Sequence, residues 1–303
     1  MEENSVGKTE DGANLRLRKL QTPEGTYAMV ALDQRESLRA MFPQLSEGTP
    51  VRDETLTDFK AAGVRALSSF ASGILLDRVY GLVGPEWPQV ADTCGLIIAA
   101  DTLHHSVGGT VTHTTVDPAV TVDFLRDSGA SGVKFLVIWQ KSSSRADRAR
   151  LITDILELAE QAGIASVIEA IVSPDGDVWS APEQKHDAIL SAAAEICALQ
   201  PDLYKAEVPG YVEGDLSGIA EAARQLDAIA NRDWVVLSNG VRQTDFAPAL
   251  SEAVIGGAGG FLAGRAIWTD IVGKPDQNAA FTEIALPRLR GLRQIVTGRA
   301  ARA

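Results

Sequence analysis

Val133-Lys134-Phe135-Leu136-Val137-Ile138-Trp139 is followed by residues 145–162, then Gly163, then Ser166-Val167-Ile168-Glu169-Ala170-Ile171-Val172. The two flanking runs are almost wholly apolar, as parallel strands covered on both faces must be. The stretch between them has helical period. Leu151, Ile155, Leu158 and Ala162 fall on one face, with Arg148, Asp154 and Glu157 elsewhere. Gly163 is placed to close that helix at its C-terminus. Strand, helix and strand together read as one βαβ unit.

The unit recurs in both directions along the chain. Further short β-rich runs lie at 27–33, 73–77, 95–100, 203–208, 234–239 and 260–264. Helical stretches are predicted at 53–69, 182–199, 214–230 and 275–297, and Pro118 is placed to open another near its start. Eight strand–helix units over roughly 250 residues predict an α/β chain folded as a (β/α)8 TIM barrel in a single domain. A doubly wound open sheet is the alternative. Residues 1–14 are polar and read as a flexible N-terminal tail, leaving 15–303 for the barrel. Residues 298–303 read as a fraying end.

The chain has 303 residues, 45% of them hydrophobic, and a net charge of −12. With a pI near 4.8, it is a poor partner for nucleic acid or an anionic membrane surface. No apolar run reaches the roughly 18 residues that cross a bilayer, and the N-terminus lacks the apolar core of a signal peptide. Cys94 and Cys197 have no metal-ligand spacing and read as buried thiols in a reducing compartment, so a cytoplasmic protein is expected. Barrels of this kind often associate, so a homo-oligomer is expected.

In a barrel, catalytic groups sit at inward strand positions and at C-terminal strand ends. Alternation places Lys205 and Glu207 on one face of their strand, Glu169 with Val167 and Ile171, and Lys134 with Leu136 and Ile138. Asp33 closes the inward face of the first strand, and Asp77 and Asp101 end the second and third. Adjacent strands lie about 4.8 Å apart, so Lys134, Glu169 and Lys205 can converge. An ammonium inside a strand is costly to bury unless paired or neutralised, and a neutral amine attacks carbonyls. A second cation beside one carboxylate would lower the pKa of the first lysine. A buried network that only fixes packing is the competing reading.

Ser238-Asn239-Gly240 ends the seventh strand, and Gly264-Arg265 ends the eighth. Loops at those places often hold phosphate through bare N–H groups, and Arg265 adds a forked cation. Gln34 and Arg35, just past Asp33, could hold the far end of an elongated substrate. A metal enzyme would need a cluster of ligands, but the four histidines are His104, His105, His113 and His186. The first two are neighbours and cannot both face inward from one strand, so neither a metal nor another cofactor is expected.

Five stretches carry a resemblance: Ala31-Leu32-Asp33-Gln34-Arg35, Leu56-Thr57-Asp58-Phe59-Lys60, Asp202-Leu203-Tyr204-Lys205, Leu237-Ser238-Asn239-Gly240-Val241 and Gly260-Phe261-Leu262-Ala263-Gly264-Arg265-Ala266-Ile267-Trp268. Together they resemble the class I aldolases of the tagatose-bisphosphate aldolase group, most nearly its sulfofructosephosphate aldolase branch. The likeness runs from Tyr27 to Gly273. Asn239 departs from the small residue expected after Ser238, and the N-terminal segment is longer. The resemblance implies cleavage of a phosphorylated ketose to dihydroxyacetone phosphate and an aldehyde. That aldehyde is sulfolactaldehyde if the substrate is 6-deoxy-6-sulfofructose 1-phosphate, or glyceraldehyde 3-phosphate if it is a tagatose or fructose 1,6-bisphosphate. It implies Lys205 as the Schiff-base lysine, Lys134 and Glu169 as its neighbours, and Arg265 as an anion ligand. For the base that takes the C4 hydroxyl proton, Glu169 is the first choice, with Tyr204 and Asp33 behind it. A Schiff-base dehydratase or transaldolase, and a non-catalytic sugar-phosphate binder, remain as other readings.

Overall fold

The computed structural model describes residues 12–43, 50–83, 89–105, 111–176 and 178–300. Among them the strands are β1 (Tyr27–Leu32), β2 (Gly73–Asp77), β3 (Gly95–Ala99), β4 (Asp101–His105), β5 (Val111–Val116), β6 (Gly132–Trp139), β7 (Ala165–Val172), β8 (Leu203–Ala206), β9 (Trp234–Val236) and β10 (Gly260–Ala263). Eight close into a barrel in the order β1-β10-β9-β8-β7-β6-β3-β2. Every barrel pair is parallel. The expected runs all lie in this barrel, though β8 and β9 stop two or three residues early. The antiparallel pair β4–β5 stands apart. Its Thr- and His-rich residues are largely solvated, so no apolar run announces it.

Helices over Asp53–Leu67, Arg145–Ala162, Pro182–Cys197, Ile219–Ala230, Gln243–Ile255 and Leu286–Ala300 cover the outside. Gly163 ends its helix in the left-handed region at φ 75°. The buried stripe of that helix is Ile152, Ile155 and Ala159, so Leu151, Leu158 and Ala162 flank it rather than define it. Pro118 lies in a turn ahead of Val122–Asp127, whose first turn is capped by the Thr121 hydroxyl. The last helical stretch passes through a π turn at Phe281–Ala285 and runs on to Ala300, so residues 298–300 are helical rather than frayed.

Two apolar layers follow from strand alternation. Val30, Ile74, Phe135, Ile168 and Phe261 face the helices. Met29, Leu75, Ile97, Val167, Leu203 and Leu262 fill the barrel. Its N-terminal end is plugged by Leu17 and Leu20, which belong to this inner layer. They come from a helix, Gly12–Leu17, and the turn after it, so helix already begins within the segment read as a tail. Residues 1–11 lie outside the described residues. Arg16 ties the plug to Asp202 at 2.7 Å. Gly95 makes room for it: a Cβ there would lie 2.5 Å from the Lys19 carbonyl oxygen and 2.6 Å from Leu20. With one end sealed, the opening is at the C-terminal strand ends. No helix among the described residues is long and apolar enough to cross a membrane.

Candidate active site

Register sets the centre of the site. β7 and β8 place Glu169 beside Lys205, and β6 and β7 place Leu136 beside Glu169, one inward step above Lys134. Lys205 Nζ donates to Glu169 Oε2 at 2.9 Å. Lys134 Nζ lies 3.1 Å from the same oxygen. All three side chains are buried.

The charge balance differs from the expected pair of ammonium groups around one carboxylate. Lys134 Nζ also donates to Asp33 Oδ2 at 2.8 Å and to Asp101 Oδ2 at 2.9 Å. Three carboxylates therefore converge on one ammonium. Burial alone would pull the Lys134 pKa down, but Asp101, Asp33 and Glu169 carry it well above its ordinary value. Burial likewise pushes Asp33 and Glu169 up, yet Lys134 and Lys205 outweigh it and hold both below the ordinary carboxylate range. Lys134 is thus a fixed cation, while Lys205 has the single carboxylate partner Glu169 among the described residues.

Behind this cluster lies a second tier. Arg35 Nη1 donates to the Asp101 carbonyl at 2.6 Å, and Nη2 to Asp101 Oδ1 at 3.2 Å. Its Nε is 4.0 Å from Asp77 Oδ1, and Asp77 in turn pairs with buried Lys60. The sequence points Arg35 toward the far end of a substrate. It braces Asp101 instead and does not line the cavity, because two carboxylates at the barrel rim capture its guanidinium.

A cavity of about 350 Å³ opens above Asp33, Lys134, Glu169 and Lys205. Gln34 and Ser37 line it from the segment after β1, and Ser238, Asn239, Gly264 and Arg265 line it from the segments after β9 and β10. Arg265 donates to Asn239 Oδ1, so the residue that departs from the family pattern is the partner of the Arg265 guanidinium. Ser238 Oγ accepts the Ala266 N–H at 3.4 Å. Burial pulls the Arg265 pKa down, opposed by Glu169 and Asp33. Gly240 is not on this wall. At φ 74° it turns the chain beside the Lys185–Glu207 pair. Glu207 lies past the end of β8, paired with Lys185 at 2.9 Å and accepting the Val172 N–H at 2.8 Å. Tyr204 faces outward into the helix layer, which removes it as a base.

Three features have little or no signature in the sequence. Asp101 follows β3 and opens β4, as Asp33 follows β1, but nothing marks it as a partner of Lys134. Ser37 lies just past Arg35 with no pattern of its own. Leu103 and Val111 reach the cavity from the β4–β5 hairpin, whose polar alternation reads as surface.

Comparison with known proteins gives the family and the fold. The pattern of the DeoC/LacD family aldolases matches residues 27–270. Tagatose 1,6-diphosphate aldolase of Staphylococcus epidermidis is 26% identical over 281 residues, covering 84% of this chain and 85% of the relative. The fold is shared with fructose-bisphosphate aldolase from Plasmodium falciparum, at a TM-score of 0.69 and 14% identity over 95% of this chain and 94% of that one. It is also shared with a Schiff-base-forming fructose-1,6-bisphosphate aldolase, at a TM-score of 0.60 and 16% identity over 94% of this chain and 99% of that one. A match across most of the barrel, carrying the strand that bears Lys205, places the chain in the DeoC/LacD family of aldolases.

Proposed function

We propose that the protein is a Schiff-base aldolase that cleaves 6-deoxy-6-sulfofructose 1-phosphate reversibly to dihydroxyacetone phosphate and sulfolactaldehyde. The observation that carries the covalent chemistry is the 2.9 Å contact between the buried Lys205 Nζ and Glu169 Oε2. Glu169 can take the amine proton and return it as water leaves. Lys205 attacks the C2 carbonyl to give a carbinolamine, and loss of water gives an iminium. A carboxylate then takes the C4 hydroxyl proton. The C3–C4 electrons move onto nitrogen, the aldehyde leaves, and a neutral enamine remains. Protonation at C3 and hydrolysis release dihydroxyacetone phosphate and restore the amine.

The electrostatics fit this sequence. The charge on Lys205 is one of the influences that keep Asp33 and Glu169 acidic. As electrons reach the iminium nitrogen its charge disappears, so the carboxylates become more basic at the moment one of them must hold the C4 proton. Glu169 serves the nitrogen and Asp33 faces it across Lys134, so either can take that proton. Lys134 stays charged and holds Asp33, Asp101 and Glu169 in place around the reacting centre. Arg265, Asn239 and Ser238 form the corner for the C1 phosphate.

A second reading is cleavage of tagatose or fructose 1,6-bisphosphate. The family relative named for tagatose 1,6-diphosphate supports it. Rates on the sulfo-sugar phosphate and on both bisphosphates, with dihydroxyacetone phosphate as the measured product, decide between them. The sulfo-sugar phosphate is expected to be fastest. A faster bisphosphate would transfer the assignment to the second reading.

A further inference from the structure

The cavity mouth divides according to strand order. In the closed barrel β10 stands opposite β6, and β9 stands opposite β3. The polar side, with Ser238, Asn239 and Arg265, comes from the segments that leave β9 and β10. The facing side is apolar: Leu136 and Ile138 come from β6, Ile171 from β7, and Leu103 and Val111 from the hairpin that follows β3. Among the described lining residues the cations are Lys134, Lys205 and Arg265. Lys134 is enclosed by Asp33, Asp101 and Glu169. Lys205 is the reacting nitrogen. Arg265 is therefore the cation left for an anionic group, and it stands on the polar side.

Resting on the Schiff-base reading with the C1 phosphate at Arg265, we propose that this apolar wall determines specificity at the far end of the substrate. It admits a ketose 1-phosphate whose far substituent carries one diffuse negative charge, as a sulfonate does, in preference to a phosphate dianion. Ile138 and Ile171 are the principal determinants, because they stand at the mouth where the far group must lie.

The physical reason is desolvation. A phosphate monoester carries about −1.5 to −2 charges at pH 7 and needs donors or cations in place of its water. Moving such charge against aliphatic side chains without a cation is costly. A sulfonate is a monoanion with its charge spread over three weakly basic oxygens, so it gives up less hydration at the same wall.

The test compares 6-deoxy-6-sulfofructose 1-phosphate with fructose 1,6-bisphosphate, which share carbon skeleton and stereochemistry and differ only in the far group. The wild type is expected to favour the sulfonate in kcat/KM by about tenfold or more. Ile138→Lys and Ile171→Lys each put an ammonium on the wall, and both sites are half-buried, so the charge can reach water. Each is expected to shrink the preference by about tenfold, chiefly through KM for the bisphosphate. A wild type that uses the bisphosphate as well or better overturns the proposal. So does an unchanged ratio in both folded lysine variants. Borohydride trapping of dihydroxyacetone phosphate on the wild type separates the two layers of argument. An adduct at Lys205 with an unchanged ratio in both lysine variants rejects the wall alone, an adduct with no sulfonate preference rejects the sulfo-sugar assignment as well, and a missing adduct rejects the Schiff-base reading beneath both.

Discussion

Glu169 Oε2 sits between two ammonium groups, 2.9 Å from Lys205 and 3.1 Å from Lys134. Glu169→Gln keeps the shape and removes the proton acceptor, so kcat is expected to fall by about 10²- to 10⁴-fold with little change in the folded structure. A kcat within threefold of the wild type, in a rate assay at saturating substrate, would remove Glu169 from the chemistry. Asp101 holds Lys134 and Arg35 rather than Lys205. One of its carboxylate oxygens holds Lys134 and the Leu136 N–H, and the other holds Arg35. Asp101→Asn breaks a buried ion pair on both sides and is expected to cost about 3–5 kcal/mol in urea unfolding. A loss below about 1 kcal/mol would show the second tier to be dispensable. Lys134, Glu169 and Lys205 are legible from alternation alone, because a charge buried at an inward strand position must be paired or neutralised. Arg35 is not, because sequence shows that a cation leaves β1 at the rim, but not that Asp77 and Asp101 stand ready to capture it.

At the scale of elements, apolar runs identify every barrel strand, since strands buried on both faces leave no polar alternation. The hairpin β4–β5 and the plug at the sealed end lack such a signal: one is Thr- and His-rich, and the other is a short helix beside a polar terminus. Both nevertheless shape the function, the hairpin by placing Leu103 and Val111 over the cavity and the plug by closing the end away from the chemistry. Leu20 is fully buried in the inner layer. Leu20→Ala is expected to cost about 2–5 kcal/mol, read as a lower melting temperature. Because the plug is at the opposite end from Lys205, kcat should change by less than about twofold. A large loss of kcat with unchanged melting would contradict the division of the barrel into a stability end and a catalytic end.

For the whole molecule, the central charge cluster makes stability depend on pH. Asp33 and Glu169 have pKa values lowered on folding, mainly because Lys134 and Lys205 overcome the effect of burial. Their contribution is complete above the unfolded carboxylate value near 4 and is lost as pH falls through the folded values. Lys134 is raised, so its share is complete below about pH 10 and is lost only as pH rises through its folded value. Glu207, pushed up by burial, works against the acid effect but is one group against two. The melting temperature should therefore hold from about pH 5 to pH 9 and drop below about pH 4. A flat profile down to pH 3, by calorimetry, would mean that the cluster adds nothing to folding. The fold is readable because repetition at the scale of the whole chain overrides local ambiguity, whereas substrate identity depends on how opposite walls of one cavity are paired, which no single stretch records. The central claim is that Lys205 forms an imine inside this barrel. It is tested most directly by borohydride reduction in the presence of dihydroxyacetone phosphate, followed by peptide mass spectrometry. The expected result is one reduced adduct at Lys205, absent in Lys205→Met; no adduct, or an adduct at another lysine, would contradict it.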